Sequence, residues 1–185
     1  MMTSLQILKL PQMFLSRCIP MDLTALSIES FLRDLKPHFV FHDFTHWLPP
    51  LARHLGIKSI YHYTISPAIV GYLLSPERKI NEKPITEADF KAPPTRFPPS
   101  SIKLFPHEVR QVTSTTQTIG RDISFIECQM ISFSDSDAIS FKSCKEMEEP
   151  YCDYVERQFK KPVFLEGPIV REPPTIVFVT PRTQL

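Results

Sequence analysis

Glycine is scarce in this sequence. Its 185 residues hold only Gly56, Gly71, Gly120 and Gly167, all isolated. Neither Gly-x-Gly nor Gly-Lys-Ser/Thr occurs, so neither common type of phosphate-cradling loop is present, in which backbone must approach phosphate oxygens closely. Long apolar runs are missing too. No stretch approaches the ~18 uninterrupted apolar residues of a membrane-spanning helix. Lys9, Pro11 and Arg17 interrupt the apolar residues near the start, and no small-residue cleavage site follows a basic opening. Nor is there a surplus of one charge: 21 Lys and Arg stand against 20 Asp and Glu, a formal net charge of +1. That balance argues against a nucleic-acid footprint and against a polybasic membrane patch. The four cysteines, Cys18, Cys128, Cys144 and Cys152, form no Cys-x-x-Cys pair. A chain of this size can rely on a core rather than on disulfides, so reduced thiols and a cytoplasmic setting are expected.

What is present suits one globular domain: 42% hydrophobic and 22% charged residues, with proline in excess at 19. Residues 1–20 show no clear period. Leu23, Leu26, Phe31, Leu32 and Leu35 then make a helical stripe over 22–36, closed by Pro37. Phe39-Val40-Phe41, ending on His42-Asp43, reads as a buried strand. Trp47, Leu48, Leu51, Ala52 and Leu55 are spaced as a helix, with Pro49 and Pro50 in its first turn and Gly56 at a left-handed cap. Ile57 to Tyr63 alternates as a second strand, and Ser66 to Leu74 reads as a helix. This strand-helix-strand-helix rhythm predicts an α/β fold with a parallel sheet. From Pro76 to Pro106, where seven of the prolines fall, the pattern dissolves into a long loop. Further helices are expected at His107–Ile119 and Asp122–Phe133, and a strand at Ala138–Phe141. Ser143 to Glu146 fits a capping box opening a helix through Phe159, bent or restarted at Pro150. A last strand is expected at Pro162–Leu165.

Chemistry concentrates in His42-Asp43-Phe44-Thr45-His46-Trp47. His42 and His46 stand four apart, as in zinc-binding helices; against that reading, Phe39 to His42 looks like a strand and no third ligand is indicated. Asp43 falls at the carboxyl end of a predicted parallel strand, where ligands and catalytic side chains of open α/β sheets collect. There it could orient a histidine that removes a proton, or simply cap the next helix. Trp47, on an apolar stripe, and His62, among strand aromatics, read as structural, and His54 and His107 as helix residues.

The stretch around F-V-F-H-D-F-T-H-W-L-P-P-L-A-R-H-L resembles plant UDP-dependent glycosyltransferases of family 1, in the branch that extends sugars on flavonoid and anthocyanin glycosides. Matches continue in order through Gly56-Ile57-Lys58-Ser59, Phe97-Pro98-Pro99-Ser100-Ser101, His107-Glu108, Ser136-Asp137-Ala138-Ile139, Glu149-Pro150-Tyr151-Cys152-Asp153-Tyr154 and Lys161-Pro162-Val163 to Gly167-Pro168. The resemblance implies a GT-B enzyme of two Rossmann-like lobes, in which a histidine deprotonates the acceptor hydroxyl and the sugar transfers with inversion. It implies that Asp43 orients that histidine and that Thr45, His46 and Trp47 contact the acceptor. The implied partners are a small-molecule acceptor and UDP-sugar as co-substrate, with no metal and no cofactor. The family's Gly-His motif and its His-Cys-Gly-Trp donor box do not occur here. Residues 21–174 are therefore expected to be an incomplete acceptor-binding lobe, with 175–185 an unrelated tail, the donor lobe absent, and the chain inactive alone. The alternative is a non-catalytic remnant or interaction module.

Overall fold

In the computed structural model, which describes residues 20–79, 86–116, 118 and 123–167, short strands alternate with helices. Helix α1 (Ala25–Leu35) closes where Lys36 turns left-handed, just before Pro37, because a residue preceding proline is disfavoured in helical geometry. There follow β1 (Phe39–His42), α2 (Leu48–His54), β2 (Lys58–Tyr63), α3 (Pro67–Leu73), α4 (Pro106–Ser114), α5 (Phe125–Asp135), β3 (Ala138–Phe141), α6 (Lys145–Phe159) and β4 (Val163–Leu165). Gly56 takes φ +73° directly after α2, the left-handed turn that glycine makes without strain. None of these helices is long and apolar enough to cross a membrane.

The strands form one parallel sheet in the order β1-β2-β3-β4, the α/β architecture expected from the sequence. Their carboxyl ends therefore share one rim, where β1 runs into Asp43 and β2 ends at Tyr63. Strand side chains alternate between faces. His42, Tyr61 and Ile139 are register partners on the helix-covered face, as are Tyr63, Phe141 and Leu165. Tyr61, Ile139 and Phe141 form the main core with Val70, Phe133, Val155 and Phe159. A smaller cluster joins Leu32, Leu48, Ala52 and Ile57. Helix α3 meets α6 closely at Gly71, where a Cβ would stand 2.9 Å from Tyr154 Cδ1.

The opposite sheet face is open. Phe39, Phe41 and Phe164 share it and are 58%, 60% and 52% exposed. Of the stripe expected over 22–36, Leu32 is buried while Leu23, Leu26, Phe31 and Leu35 are exposed. Parallel sheets are ordinarily covered on both faces, so the described residues supply one covering layer of two.

Several boundaries differ from expectation. The Ser143–Glu146 box does not form: α6 begins at Lys145 with no side-chain cap. The Ser143 hydroxyl donates instead to the Glu148 carboxylate, which also accepts from Ser66. A capping box does form one helix earlier. Glu127 N–H donates to Ser124 Oγ at 3.3 Å and Ser124 N–H to Glu127 Oε2 at 2.7 Å, which starts α5 at Phe125. Helix α6 runs unbroken through Pro150, held by the burial of Cys152, Tyr154, Val155 and Phe159 beyond it. Helix α4 stops at Ser114. Ile119, Asp122, residues 1–19 of the irregular segment and the 175–185 tail lie outside the described residues.

The long loop expected after Pro76 is anchored by an arginine. Short 3-10 turns occupy Pro76–Arg78 and Glu87–Phe90. The buried Arg78 guanidinium donates to the carbonyls of Tyr72 (2.6 Å), Ala92 (3.0 Å) and Asp89, and lies over the Tyr72 and Phe90 rings. Phe97 then sits among Tyr72, Tyr151 and Tyr154. Removing the guanidinium strands three carbonyls, at about 1–3 kcal/mol for each left unsatisfied. Arg78→Met is expected to destabilise the fold by roughly 2–4 kcal/mol in urea unfolding and to expose 86–105 to limited proteolysis; unchanged values in both would refute the anchoring.

Candidate functional site

The rim residues are positioned by a chain of hydrogen bonds through His42. This imidazole is buried, with Nε2 2.9 Å from Ser136 Oγ and Nδ1 3.0 Å from Thr45 Oγ1. Ser136 gives its own proton to the Ser132 carbonyl at 2.7 Å. A hydroxyl has one proton to donate, so His42 Nε2–H donates to Ser136, and Thr45 donates to the unprotonated Nδ1. The ring is neutral. Burial lowers its pKa from 6.5 to about 4, because low-dielectric surroundings disfavour the imidazolium. The Tyr61 ring meets it edge-on at 5.2 Å.

This chain holds the turn after β1. Phe44 takes φ +51°, a left-handed geometry disfavoured for a side chain with a Cβ, and its ring packs 5.6 Å from that of Phe125. Asp43 is exposed and hydrogen-bonds to no described residue. It does not cap α2, which starts at Leu48 with no side-chain cap bond. The Asp43 charge helps raise the pKa of Tyr63 to about 12, after burial as the larger cause. Tyr63 and Phe125 both line a cavity of about 290 Å³ between α3, α4 and α5. Its walls are mainly apolar, with Val70, Leu73, Leu104, Val112 and Ile126, and its polar members include Glu108, Gln111 and Gln129. An exposed carboxylate, unpartnered among the described residues, thus stands on the carboxyl rim near Tyr63 of a small apolar cavity.

The other residues named from the sequence lie elsewhere. Thr45 is buried and engaged with His42. His46 is half-buried, with Nδ1 unpartnered and its pKa lowered by burial. Trp47 packs beside the Leu32 cluster with its indole Nε1 unpartnered. None of the three lines the cavity. The zinc alternative is removed, since His42 is a strand residue with both nitrogens hydrogen-bonded. No group of three or more potential metal ligands occurs among the described residues. His62 is structural, contacting Ser140 and Glu166 at 3.0 Å. The cavity residues of α4 and α5 were not singled out from the sequence; only the match at His107-Glu108 touched them.

The chain superposes with a TM-score of 0.54 and 18% identity on Glycyrrhiza uralensis UGT73P12, crystallised with glycyrrhetinic acid 3-O-monoglucuronide, over 86% of this chain and 31% of that one. Its fold is that of part of a GT-B glycosyltransferase. It is 49% identical over 154 residues to an anthocyanidin 3-O-glucoside 2''-O-glucosyltransferase of Ipomoea nil, covering 83% of this chain and 34% of the relative. It is 47% identical over 156 residues to cyanidin 3-O-galactoside 2''-O-xylosyltransferase FGGT1 of Actinidia chinensis var. chinensis, covering 84% and 34%. The chain is homologous to plant UDP-glycosyltransferases, and spans about a third of the length of the curated relatives it matches. No family model matches it.

The neutral His42 gives stability a defined pH dependence. Between its folded pKa of about 4 and its ordinary 6.5, the unfolded chain takes up a proton that the folded chain refuses. Its contribution is therefore complete above the ordinary value and shrinks as pH falls towards the folded one, by up to about 3 kcal/mol. In urea unfolding, the stability gap between the native chain and His42→Gln should narrow from about pH 7 to about pH 4.5. A constant gap would contradict the neutral, buried imidazole.

Proposed function

We propose that this chain is the acceptor-binding part of an inverting glycosyltransferase, which moves sugar from a UDP-sugar to a hydroxyl of a small plant metabolite, a flavonoid glycoside by the names of its relatives. The observation that carries the reading is the exposed Asp43 carboxylate on the carboxyl rim, without a hydrogen-bond partner among the described residues and acting on Tyr63, which lines the apolar cavity. A carboxylate in that place is suited to holding a histidine in one tautomer and stabilising the imidazolium formed when it takes the acceptor proton. The cavity suits a flat, largely apolar acceptor. The donor side is read as belonging to sequence not contained here, since no Gly-rich phosphate loop occurs in the chain. The thiols of Cys144 and Cys152, which form no disulfide among the described residues, fit a reducing compartment, and we assign the protein to the cytosol.

Calorimetric titration of the full chain tests this. Cyanidin 3-O-glucoside is expected to bind, UDP-glucose to bind at least about tenfold more weakly, and the two together to give no glycosylated product. Tighter binding of UDP-glucose, or steady product formation, would refute this division of labour.

A further inference from the structure

Gln129 stands apart from the other polar groups of the cavity. It is 1% exposed, on the inward side of α5, and its Nε2 has no hydrogen-bond partner among the described residues. Buried amide donors are nearly always paired, and one that is not calls for an explanation. Its orientation is set by its neighbour: the Tyr61 hydroxyl donates to Gln129 Oε1, while the backbone amide of Phe44 faces the same phenol oxygen. The Tyr61 proton needs an acceptor, so the carboxamide oxygen belongs on that side and the NH2 group is left over. Glu108 and Thr115, also in the cavity wall, already have partners. Glu108 accepts from Phe105 N–H at 2.7 Å, and the Thr115 hydroxyl donates to the Val112 carbonyl at 2.6 Å.

We propose that Gln129 is a specificity-determining residue, whose side-chain NH2 donates to a carbonyl or hydroxyl oxygen of the molecule held in the cavity. This deepens the acceptor-binding reading above and rests on it. The nitrogen is closed to water in the free chain, so a ligand oxygen reaches it only once the carboxamide turns. The terminal torsion of a glutamine is broad, and turning it towards a ligand oxygen exchanges the Tyr61 bond for one to the ligand. A scaffold with an oxygen at the cavity floor satisfies the donor, whereas a scaffold lacking it leaves a buried amide unpaired, the kind of mismatch by which polar sites discriminate strongly. Selection is then by polarity at one position, against apolar walls that accept many flat rings.

A matched pair of probes tests this on the full chain: flavone, which carries a ring carbonyl, and flavan, which lacks it. Flavone is expected to bind roughly tenfold more tightly. It should shift the Gln129 side-chain NH2 resonances in nitrogen-15 NMR and slow their exchange, while flavan leaves them in place. Gln129→Met should bring the two affinities together. The NMR readout uses the unaltered chain, so it holds even if a variant misfolds. Equal binding of both probes, with undisturbed Gln129 resonances, would overturn the role of Gln129 and leave the cavity as the acceptor site. Binding of neither would overturn both.

Discussion

A neutral imidazole in the interior is the constraint on which the site depends. His42 is the last residue of β1, and its two nitrogens bind the turn that follows and the junction between α5 and β3. The Thr45 bond does not survive protonation, because an imidazolium has no nitrogen left to accept it. One strand over, Tyr61 ties the same helix through Gln129. The carboxyl rim of the sheet and helix α5 therefore behave as one unit, and Asp43 is carried on it. The left-handed backbone at Phe44 costs about 1–2 kcal/mol, offset by the ring contact with Phe125. A strained turn held from both sides is a rigid mount for a carboxylate, and a carboxylate that orients another group gains from rigidity.

The sheet was legible in the sequence because its strands are β-prone runs bounded by proline, glycine or polar clusters, and because short connections dictate parallel pairing. Gly56 and Pro37 marked their boundaries correctly for simple steric reasons. The site was legible only in part. Asp43 could be placed on the rim from the strand before it, but whether it capped α2 depended on where that helix began, and Trp47 rather than Asp43 holds the cap position. The partner that settles the state of His42 is Ser136, 94 residues away, beyond any local pattern. Gln129 was invisible for a related reason: a glutamine in a helix ordinarily faces solvent, and here a tyrosine on β2 draws it inward. Arg78 likewise gathers carbonyls from both sides of a proline-rich stretch whose composition alone suggested a long loop. At Ser143 the local pattern was right for a capping box, and a long-range charged acceptor, Glu148, won the hydroxyl instead.

The open sheet face agrees with the share of the relatives that the chain spans. Phe39, Phe41 and Phe164 on the sheet, and Leu23, Leu26, Phe31 and Leu35 along the α1 segment, are exposed together. Apolar surface of this kind drives association, and among the described residues β1 is also an edge strand of the sort that recruits further strands. The same strand that carries Asp43 on its rim thus presents the surface most in need of cover.

The central claim is that the segment folded around His42 presents Asp43 for catalysis. Grafting residues 25–167 into the Ipomoea nil relative, in place of the residues it matches, gives a complete enzyme in which to measure turnover with and without Asp43→Asn. An amide caps or packs much as the carboxylate does, but it cannot stabilise an imidazolium. The account predicts an active graft whose turnover falls by about a hundredfold or more on Asp43→Asn, with an unchanged melting temperature. Turnover within about twofold of the unsubstituted graft would contradict it, since removal of a charge that holds a catalytic histidine cannot be so nearly silent.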